Sequence, residues 1–253
     1  RAIVINHAGL RGGTVVVELP WEPDDDLTPA QRDSALAVAL SDSGHVMARR
    51  VAGGVLRTMR FAVDTAALAE VVIAPDKLGG TYVGVPELRA DAYVWREPAR
   101  IRELSGALTL RHDTVAFRAD TVRLPESRAA LSGAVVLGDT LRYLVRIAGR
   151  QVAFRDLRWL YPHFPESGGG SLDLDIETRP DGTLFLARNL DVHAPGTRVR
   201  GDFGMILGDT IRFVETALDA DPLRVETIEA MLPEKLPVRG LRIGAVQIRA
   251  PER

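Results

Sequence analysis

The feature that most constrains this chain is a stretch that occurs twice. The motif Leu-Gly-Asp-Thr stands at 137–140 and again at 207–210. In each copy it is followed by a strand-like run, a short helix-like run that ends at proline, and glycine. Gly138 and Gly208 are 70 positions apart, while Pro162 and Pro233 are 71 apart. Two landmarks with nearly the same offset identify an internal repeat, which predicts a fold made of repeated units.

Each copy is predicted to form a hairpin, a short helix and a new strand. Gly-Asp favours a tight turn because both residues tolerate positive φ. Over residues 141–147 apolar side chains alternate with arginines, which places the apolar set on one face of a strand. Asp156 is predicted to cap a short helix that ends at Pro162, since proline lacks the N–H that a helix needs. We expect the copies at 137–174 and 207–241 to superpose as strand, strand, short helix, strand.

The first part of the chain predicts strands around one longer helix. Residues 2–7 and 14–19 are interpreted as a hairpin around the glycines at 9–13. The helix occupies 28–41, with Thr28 as the N-cap, Pro29 at the first helical position and Gln31 completing a capping box. Residues 64–70 are interpreted as a short capped helix in a third, looser copy of the repeat.

From residue 81 onward, strand-like runs are separated by turn signals about every ten residues. This spacing predicts an antiparallel meander and not alternating βαβ units. The fold class is therefore mostly β: an elongated meander curled into an open trough, with one mid-length helix and three short helices. A sandwich or a barrel is the other way to cover the apolar strand faces. We divide the chain into an N-terminal β segment at 1–80, with the helix inserted, and a repeated trough segment at 81–253.

Composition and motifs exclude several classes of function. The 253 residues are 46% hydrophobic, carry a formal net charge of −2 and include no cysteine. The charges alternate and do not cluster, so we expect no nucleic-acid partner. Asp42-Ser43-Gly44 matches the aspartic-protease triplet, but no second triplet supplies the paired carboxylate. The five histidines have no metal-ligand spacing, and the acidic run at 24–26 lacks the pattern of a Ca²⁺ loop. We expect no metal, no cofactor and no enzymatic activity.

The run from about residue 88 to residue 248 resembles the AsmA-like family, which includes the translocation-and-assembly module TamB. The likeness rests on the Leu-Ser-Gly-Ala-Val-Val strand at 131–136, the two Leu-Gly-Asp-Thr motifs, and residues 156–165 leading into a glycine-rich strand start. The resemblance implies a β-taco-like trough with a greasy groove, in the periplasm of a Gram-negative bacterium. It also implies an inner-membrane tether in a segment not present here and a role in lipid transport or outer-membrane biogenesis.

The implied partners are a phospholipid or another acyl-chain ligand, together with an outer-membrane assembly protein. Alternating apolar residues of the predicted strands are the candidates for the groove. They are Leu108, Leu110, Val115, Phe117, Leu141, Tyr143, Val145, Ile147, Leu172, Leu174, Ile176, Ile211, Phe213, Leu241 and Ile243. The alternative function is a structural or adhesin-like β-sandwich interaction module whose core is closed by protein alone. Alternation by itself does not distinguish a groove from a closed core.

Overall fold

The computed structural model describes residues 3–23, 27–41, 47–74, 80–94, 97–137, 141–208, 210–231, 242–243 and 246–249. Strands make up 72% of the chain. The strands are β1 (Ile3–Pro20), β2 (Met47–Val51), β3 (Gly54–Ala74), β4 (Gly80–Tyr93), β5 (Ala99–Arg111), β6 (Thr114–Arg123), β7 (Arg128–Val136), β8 (Arg142–Ala153), β9 (Gly169–Arg179), β10 (Gly182–Ala194), β11 (Thr197–Leu207), β12 (Ile211–Ala220), β13 (Leu223–Arg224), β14 (Arg242–Ile243) and β15 (Val246–Arg249). The helices are α1 (Pro29–Ser41), α2 (Val225–Met231) and a 3₁₀ helix at Phe154–Leu157.

The large sheet is an antiparallel meander in which strands pair in chain order. Its path runs β1-β3-β4-β5-β6-β7-β8-β9-β10-β11-β12-β15, with β2 added to the start of β3. The two ends of this path do not pair with each other, so the sheet is open and not a barrel. The structure confirms the predicted fold class, a mostly β antiparallel meander that forms an open sheet. β13 and β14 form a separate two-stranded sheet, and β4 begins at Gly80 and pairs with β3 across the predicted segment boundary.

Turn chemistry sets several of the hairpins that the sequence predicts. β5 and β6 are joined at His112 and Asp113, where His112 adopts φ 52. β9 and β10 are joined at Pro180 and Asp181, where Gly182 opens the second strand with φ 131. Asn, Asp, His and Gly are the residues that tolerate positive φ. The turn at 138–140 lies outside the described residues.

Helix α1 forms as predicted, because its N-terminal capping box is complete. The Thr28 N–H and hydroxyl donate to Gln31 Oε1 at 2.9 and 2.8 Å, and the Gln31 N–H donates back to Thr28 Oγ1 at 3.4 Å. No residue of α1 is buried, and the helix contacts β2. It therefore lies on the surface of the sheet.

Two predicted interruptions in the first part of the chain are wrong. β1 is one strand of 18 residues and no hairpin forms at residues 9–13. The predicted short helix at 64–70 is instead the middle of β3, a strand of 21 residues. Because β1 and β4 pair with β3 on either side, ladder hydrogen bonds outweigh the helix propensity of an alanine-rich segment. β3 is irregular in this segment: its register with β4 shifts around Asp64 and Leu68, and Glu70 adopts φ 53.

The internal repeat is preserved in part. Each copy contains a strand of the large sheet followed by a short helix: β8 and the 3₁₀ helix in the first, β12 and α2 in the second. The copies then differ, since β9 joins the large sheet whereas β14 pairs with β13. Asp156 is not an N-cap: Ala153 holds that position, without a side-chain cap. The Asp156 carboxylate instead accepts a hydrogen bond from the Glu126 N–H at 2.7 Å.

Little of the molecule is enclosed. No described side chain falls below 2% exposure, and the whole chain exposes 16609 Å². A compact protein of this mass, 27.5 kDa, exposes about 11,000 Å². Among the described residues, large-sheet strands make their extensive contacts with their hydrogen-bonded neighbours. The sheet is therefore a single layer, and much of its apolar surface remains available.

Candidate functional site

One row of side chains, which we call the apolar row, crosses nine strands from β4 to β12. In an antiparallel sheet, directly opposed residues point to the same face, so the row follows from the register of the strands. It consists of Val83, Leu108, Phe117, Gly133, Val145, Ile176, Phe185, Met205 and Phe213. With strands about 4.8 Å apart, the row is about 38 Å long. Every member except Gly133 carries an apolar side chain.

The structure brings twelve of the fifteen predicted groove residues onto the face that carries the apolar row, which we call the apolar face. These twelve lie on β5, β6, β8, β9 and β12, and the register connects them without a change of face. Four of them are exposed and eight are half-buried. The exposed four are Leu108, Leu110, Ile211 and Phe213.

The other three predicted groove residues fall elsewhere. Leu141 precedes β8 and is 53% exposed. Leu241 lies outside the described residues. Ile243 pairs with Leu223 in the two-stranded sheet, so its strand does not belong to the large sheet that carries the apolar row. The sequence alternates at Leu241 and Ile243 as it does elsewhere, but alternation does not specify which sheet a strand joins.

The only gap in the apolar row is filled by a neighbouring ring. A Cβ placed on Gly133 would lie 2.8 Å from Phe117 Cζ, so the phenyl ring of Phe117 extends over the glycine of the next strand. This arrangement covers backbone that glycine leaves bare. The row is therefore continuous across β7.

Beside the apolar row, a parallel row contains hydroxyl groups. Thr178 on β9 is opposed by Thr183 on β10 and accepts a hydrogen bond from the Tyr143 N–H of β8 at 3.0 Å, while the Tyr143 hydroxyl lies 3.0 Å from Thr183 Oγ1. Leu110 and Val115 continue this row on one side, and Leu207 on the other. The apolar face thus combines a long hydrocarbon surface with a short polar segment next to it.

The opposite face, which we call the polar face, carries ion pairs across β8, β9 and β10. Arg188 contacts Asp175 at 2.8 Å, and Arg146 contacts the same carboxylate at 3.8 Å. These side chains are 33–68% exposed, so such pairs contribute little to stability. Their consequence is that this part of the polar face carries charged, hydrated side chains, whereas the apolar face opposite carries hydrocarbon.

The polar face also holds a small core that the sequence did not predict. Leu184, Leu186 and Ile206 are buried to 2–5% exposure, with Val214 packed against them. Leu186 lies over Gly204, whose Cβ would stand 3.2 Å from Leu186 Cδ1. This cluster stabilises β10, β11 and β12 from the side opposite the apolar row.

Sequence reasoning missed several members of the apolar face, and the reason is local. In β10, Phe185 stands between the buried Leu184 and Leu186. In β11, Met205 stands beside the buried Ile206. Where both faces of a strand are apolar, period-2 alternation disappears. The register of the hairpin does identify Phe185. Pairing residues outward from the turn at 180–182 places Phe185 opposite Ile176, and therefore on the same face.

One cavity among the described residues lies away from the apolar row. It measures about 560 Å³ and is lined by Glu97, Pro98, Arg100, Pro125, Glu126, Arg155, Asp156, Arg158, Trp159 and Pro162. Arg155 donates to Glu126 at 2.9 Å, and this hydrogen bond raises the pKa of Arg155 above its usual value. Three guanidinium groups and three carboxylates make this cavity unsuitable for an acyl chain. A second cavity, of about 310 Å³, lies mainly against the charged residues of the polar face.

Within the described part of the chain, no three His, Asp or Glu side chains are grouped so that they would hold a metal ion. The Asp-Ser-Gly triplet at 42–44 and the acidic run at 24–26 lie outside the described residues. The described helices are also too short or too polar to span a membrane.

Searches of protein-family models, of curated proteins and of solved structures found no match to this chain.

Proposed function

We propose that this chain is an AsmA-like, TamB-type segment that binds lipid acyl chains along the apolar row in the periplasm. In this proposal the phospholipid lies across the strands, its hydrocarbon against the row and its polar part near the hydroxyls of Tyr143 and Thr183. Transport between the inner and outer membranes, an inner-membrane tether outside this sequence, and contact with an outer-membrane assembly protein belong to the same proposal.

The observation that carries this proposal is the continuity of the apolar row on a face that no other described element of the chain covers. The hydrocarbon core of a bilayer is about 30 Å thick and contains two leaflets, so a row of about 38 Å accommodates an acyl chain at full length. Each CH₂ group removed from water contributes about 0.8 kcal/mol. An open surface of this length therefore binds lipid without a deep pocket.

Leu174→Asp tests the proposal at the centre of the apolar face. Leu174 is half-buried and opposed by Ile147 and Ala187. A carboxylate there remains accessible to water, so we expect the sheet to stay folded. Because an acyl chain would have to pass a charge, bound lipid should fall several-fold. Native mass spectrometry of protein purified from cells, and transfer of a fluorescent phospholipid from vesicles, measure the loss.

The matched control is Ala116→Asp. Ala116 is exposed and lies on the opposite face of β6, between the uncharged partners Thr109 and Ala134. It adds the same charge to the same sheet, so lipid binding should be unchanged. If the unmodified protein carries no lipid and Leu174→Asp unfolds the sheet, the conduit proposal fails. That result would favour the β-sandwich module with a closed core.

A further inference from the structure

The cavity of about 560 Å³ is formed by three connections at the same end of the large sheet. Glu97 and Pro98 belong to the connection between β4 and β5, Pro125 to the turn between β6 and β7, and Trp159 to the connection between β8 and β9. Cavities of about 300–1,000 Å³ are the usual size of small-molecule sites. The volume of this cavity is therefore sufficient for an organic ligand.

Both copies of the internal repeat contain the same hydrogen bond between a turn and the start of a short helix. In the first copy Ser127 Oγ accepts a hydrogen bond from the Ala153 N–H at 2.9 Å. In the second copy Thr197 Oγ1 accepts one from the Arg224 N–H, also at 2.9 Å. Ser127 and Thr197 are both buried and are 70 positions apart, like the two Leu-Gly-Asp-Thr motifs. The surroundings of the two short helices can therefore be compared position by position.

Beside α2, in the second copy, the chain itself supplies a side chain that packs against the helix. The Tyr161 hydroxyl, from the connection at 154–168, donates a hydrogen bond to the Met231 carbonyl at the end of α2. In the first copy the corresponding connection, between β4 and β5, comprises only residues 94–98. Leu160, the counterpart of Met231, is 56% exposed. The cavity therefore lies beside the 3₁₀ helix at a place that corresponds to the contact of Tyr161 with α2.

The two copies also differ in the charge of the residues at this place. Arg155 and Arg158 line the cavity, whereas the residues 71 positions later, in α2, are Glu226 and Glu229. Two guanidinium groups thus stand where the other copy has two carboxylates. Since guanidinium groups form strong hydrogen bonds with anionic oxygens, this reversal favours an anionic ligand in the first copy.

The carboxylates of the cavity are engaged or exposed. Glu126 is paired with Arg155 at 2.9 Å. Asp156 is buried and accepts a hydrogen bond from the Glu126 N–H at 2.7 Å. Glu97 forms no ion pair with a described residue, but it is exposed, so water and salt screen its charge. The cavity therefore retains few acidic groups that would oppose an anion.

Two of the three guanidinium groups are available to a ligand. Arg100 forms no ion pair with any described residue, although Asp91 is its cross-strand partner on β4. Arg158 contacts Glu166 at 3.0 Å, but the Glu166 side chain is 86% exposed. An ion pair with so exposed a partner contributes little to stability, so an anion in the cavity readily replaces Glu166.

Trp159 supplies a flat apolar wall and a hydrogen-bond donor. Its indole Nε1 is shielded from solvent and has no hydrogen-bond partner in the described part of the chain. A buried N–H without an acceptor is unfavourable, and a ligand oxygen would provide the acceptor. Pro98, Pro125 and Pro162 add further apolar surface to the lining. The cavity thus combines cationic groups with a wall that suits the carbon skeleton of a ligand.

We propose that this cavity binds an organic phosphate, with the phosphate group on Arg100 and Arg158 and the rest of the molecule against Trp159 and the prolines. A phosphate monoester carries a charge of about −1.5 to −2 at pH 7, which matches two guanidinium groups, whereas a carboxylate carries one charge. The planar guanidinium group binds phosphate oxygens in pairs. The phosphate belongs either to a free small molecule or to a lipid headgroup. This inference does not depend on lipid binding along the apolar row.

Calorimetric titration of the full chain with glycerol 3-phosphate is the first test. Glycerate, which has a carboxylate in place of the phosphate, is the matched ligand, and it should bind at least tenfold more weakly. Dihexanoyl phosphatidic acid, kept monomeric in solution, presents the same phosphate on a lipid. Tighter binding of this lipid than of glycerol 3-phosphate would assign the site to a headgroup, and equal binding would assign it to a free phosphate. Failure of both phosphates to bind at millimolar concentration, or equal binding of glycerate, would overturn the proposal.

Substitution of the two available arginines tests the location of the site. Arg100→Gln and Arg158→Gln should each weaken phosphate binding about tenfold, because each removes a charge-assisted hydrogen bond. Arg111→Gln is the control, since Arg111 is exposed at the other end of β5, and it should leave the affinity unchanged. Circular dichroism checks that all three variants fold. If both phosphates bind to Arg100→Gln and Arg158→Gln as tightly as to the unmodified chain, they bind elsewhere and the proposal is wrong.

Discussion

Gly169 shows how closely the strands approach where β9 begins. Its φ is 151, and a Cβ on this residue would lie 1.9 Å from the Val152 carbonyl oxygen of β8. A Cβ on Gly170 would likewise lie 1.9 Å from the Asp191 carbonyl oxygen of β10. The two glycines therefore bring backbone against backbone on both sides of β9. This close approach explains why residues 168–170 are glycines.

We expect Gly169→Ala to destabilise the fold by about 2–4 kcal/mol, through overlap with a neighbouring strand and strain at this φ. Gly53→Ala is the matched control, because a Cβ there meets nothing within 4 Å. Urea denaturation of both variants gives the free energies of unfolding. Equal stability of the two would show that β8 and β9 separate easily at this point.

Asp191 gives a prediction about pH. Its carboxylate accepts hydrogen bonds from Arg198 Nε and Nη2 at 2.9 and 2.8 Å, and these hydrogen bonds lower the pKa of Asp191 below its ordinary value. The unfolded chain has an Asp pKa of about 3.9. Because the folded pKa is lower, the stabilisation is complete above the unfolded value and is lost as the pH falls through the folded one.

NMR titration of the Asp191 carboxyl group should therefore give a midpoint below about 3.9. Arg198→Gln should move this midpoint upward, toward the ordinary value, because it removes the charged donor. A midpoint that does not change in Arg198→Gln would mean that the hydrogen bonds seen at β10 and β11 do not persist in solution.

At the scale of elements, α1 is the clearest case of a local signal deciding local structure. Its capping box closes within four residues, and no buried contact is required. We expect Thr28→Ala to destabilise the helix by about 1 kcal/mol. Amide hydrogen exchange over 29–41 measures this change, while protection in β4–β12 should stay constant.

Ser34→Ala is the control for α1. Ser34 is exposed in the middle of the helix, and alanine has the higher helix propensity. Exchange should therefore slow slightly in this variant. If both variants exchange alike, the capping hydrogen bonds do not determine the stability of α1.

The elements that the sequence predicts well are those whose signals are local. The His112-Asp113 turn and the Pro180-Asp181-Gly182 turn are set by residues that need no distant partner. β3 was mispredicted at 64–70 because β1 and β4, far away in sequence, decide its conformation. Likewise, the position of Leu174 on the apolar face follows from alternation, whereas that of Phe185 requires the register with β9. The side-chain pattern of a strand predicts which face of that strand a residue occupies. Which residues of neighbouring strands lie side by side in one row is determined by the pairing of the strands.

At the scale of the whole molecule, the single-layer sheet has a thermodynamic consequence. An unfolded chain of 27.5 kDa exposes about 40,000 Å², so compact folding would remove about 29,000 Å² and this fold removes about 23,000 Å². The heat capacity of unfolding follows the surface exposed. We expect it to be about four-fifths of the usual 12–15 cal/mol/K per residue, measured by scanning calorimetry on lipid-free protein. A full-sized value would indicate that a second layer covers the apolar face in solution.

The meander order of the strands makes this architecture extensible. From β3 to β12 each strand pairs with the next one in the chain, so a hairpin inserted between two strands disturbs no other connection. Two added strands keep every later side chain on its original face, and they lengthen the apolar row by about 9.6 Å. Duplication of such a unit, of which the two Leu-Gly-Asp-Thr motifs are a trace in the sequence, sets the span of the surface in discrete steps. Gene duplication then changes the length of the sheet in whole hairpin units, and the packing of the existing side chains stays the same.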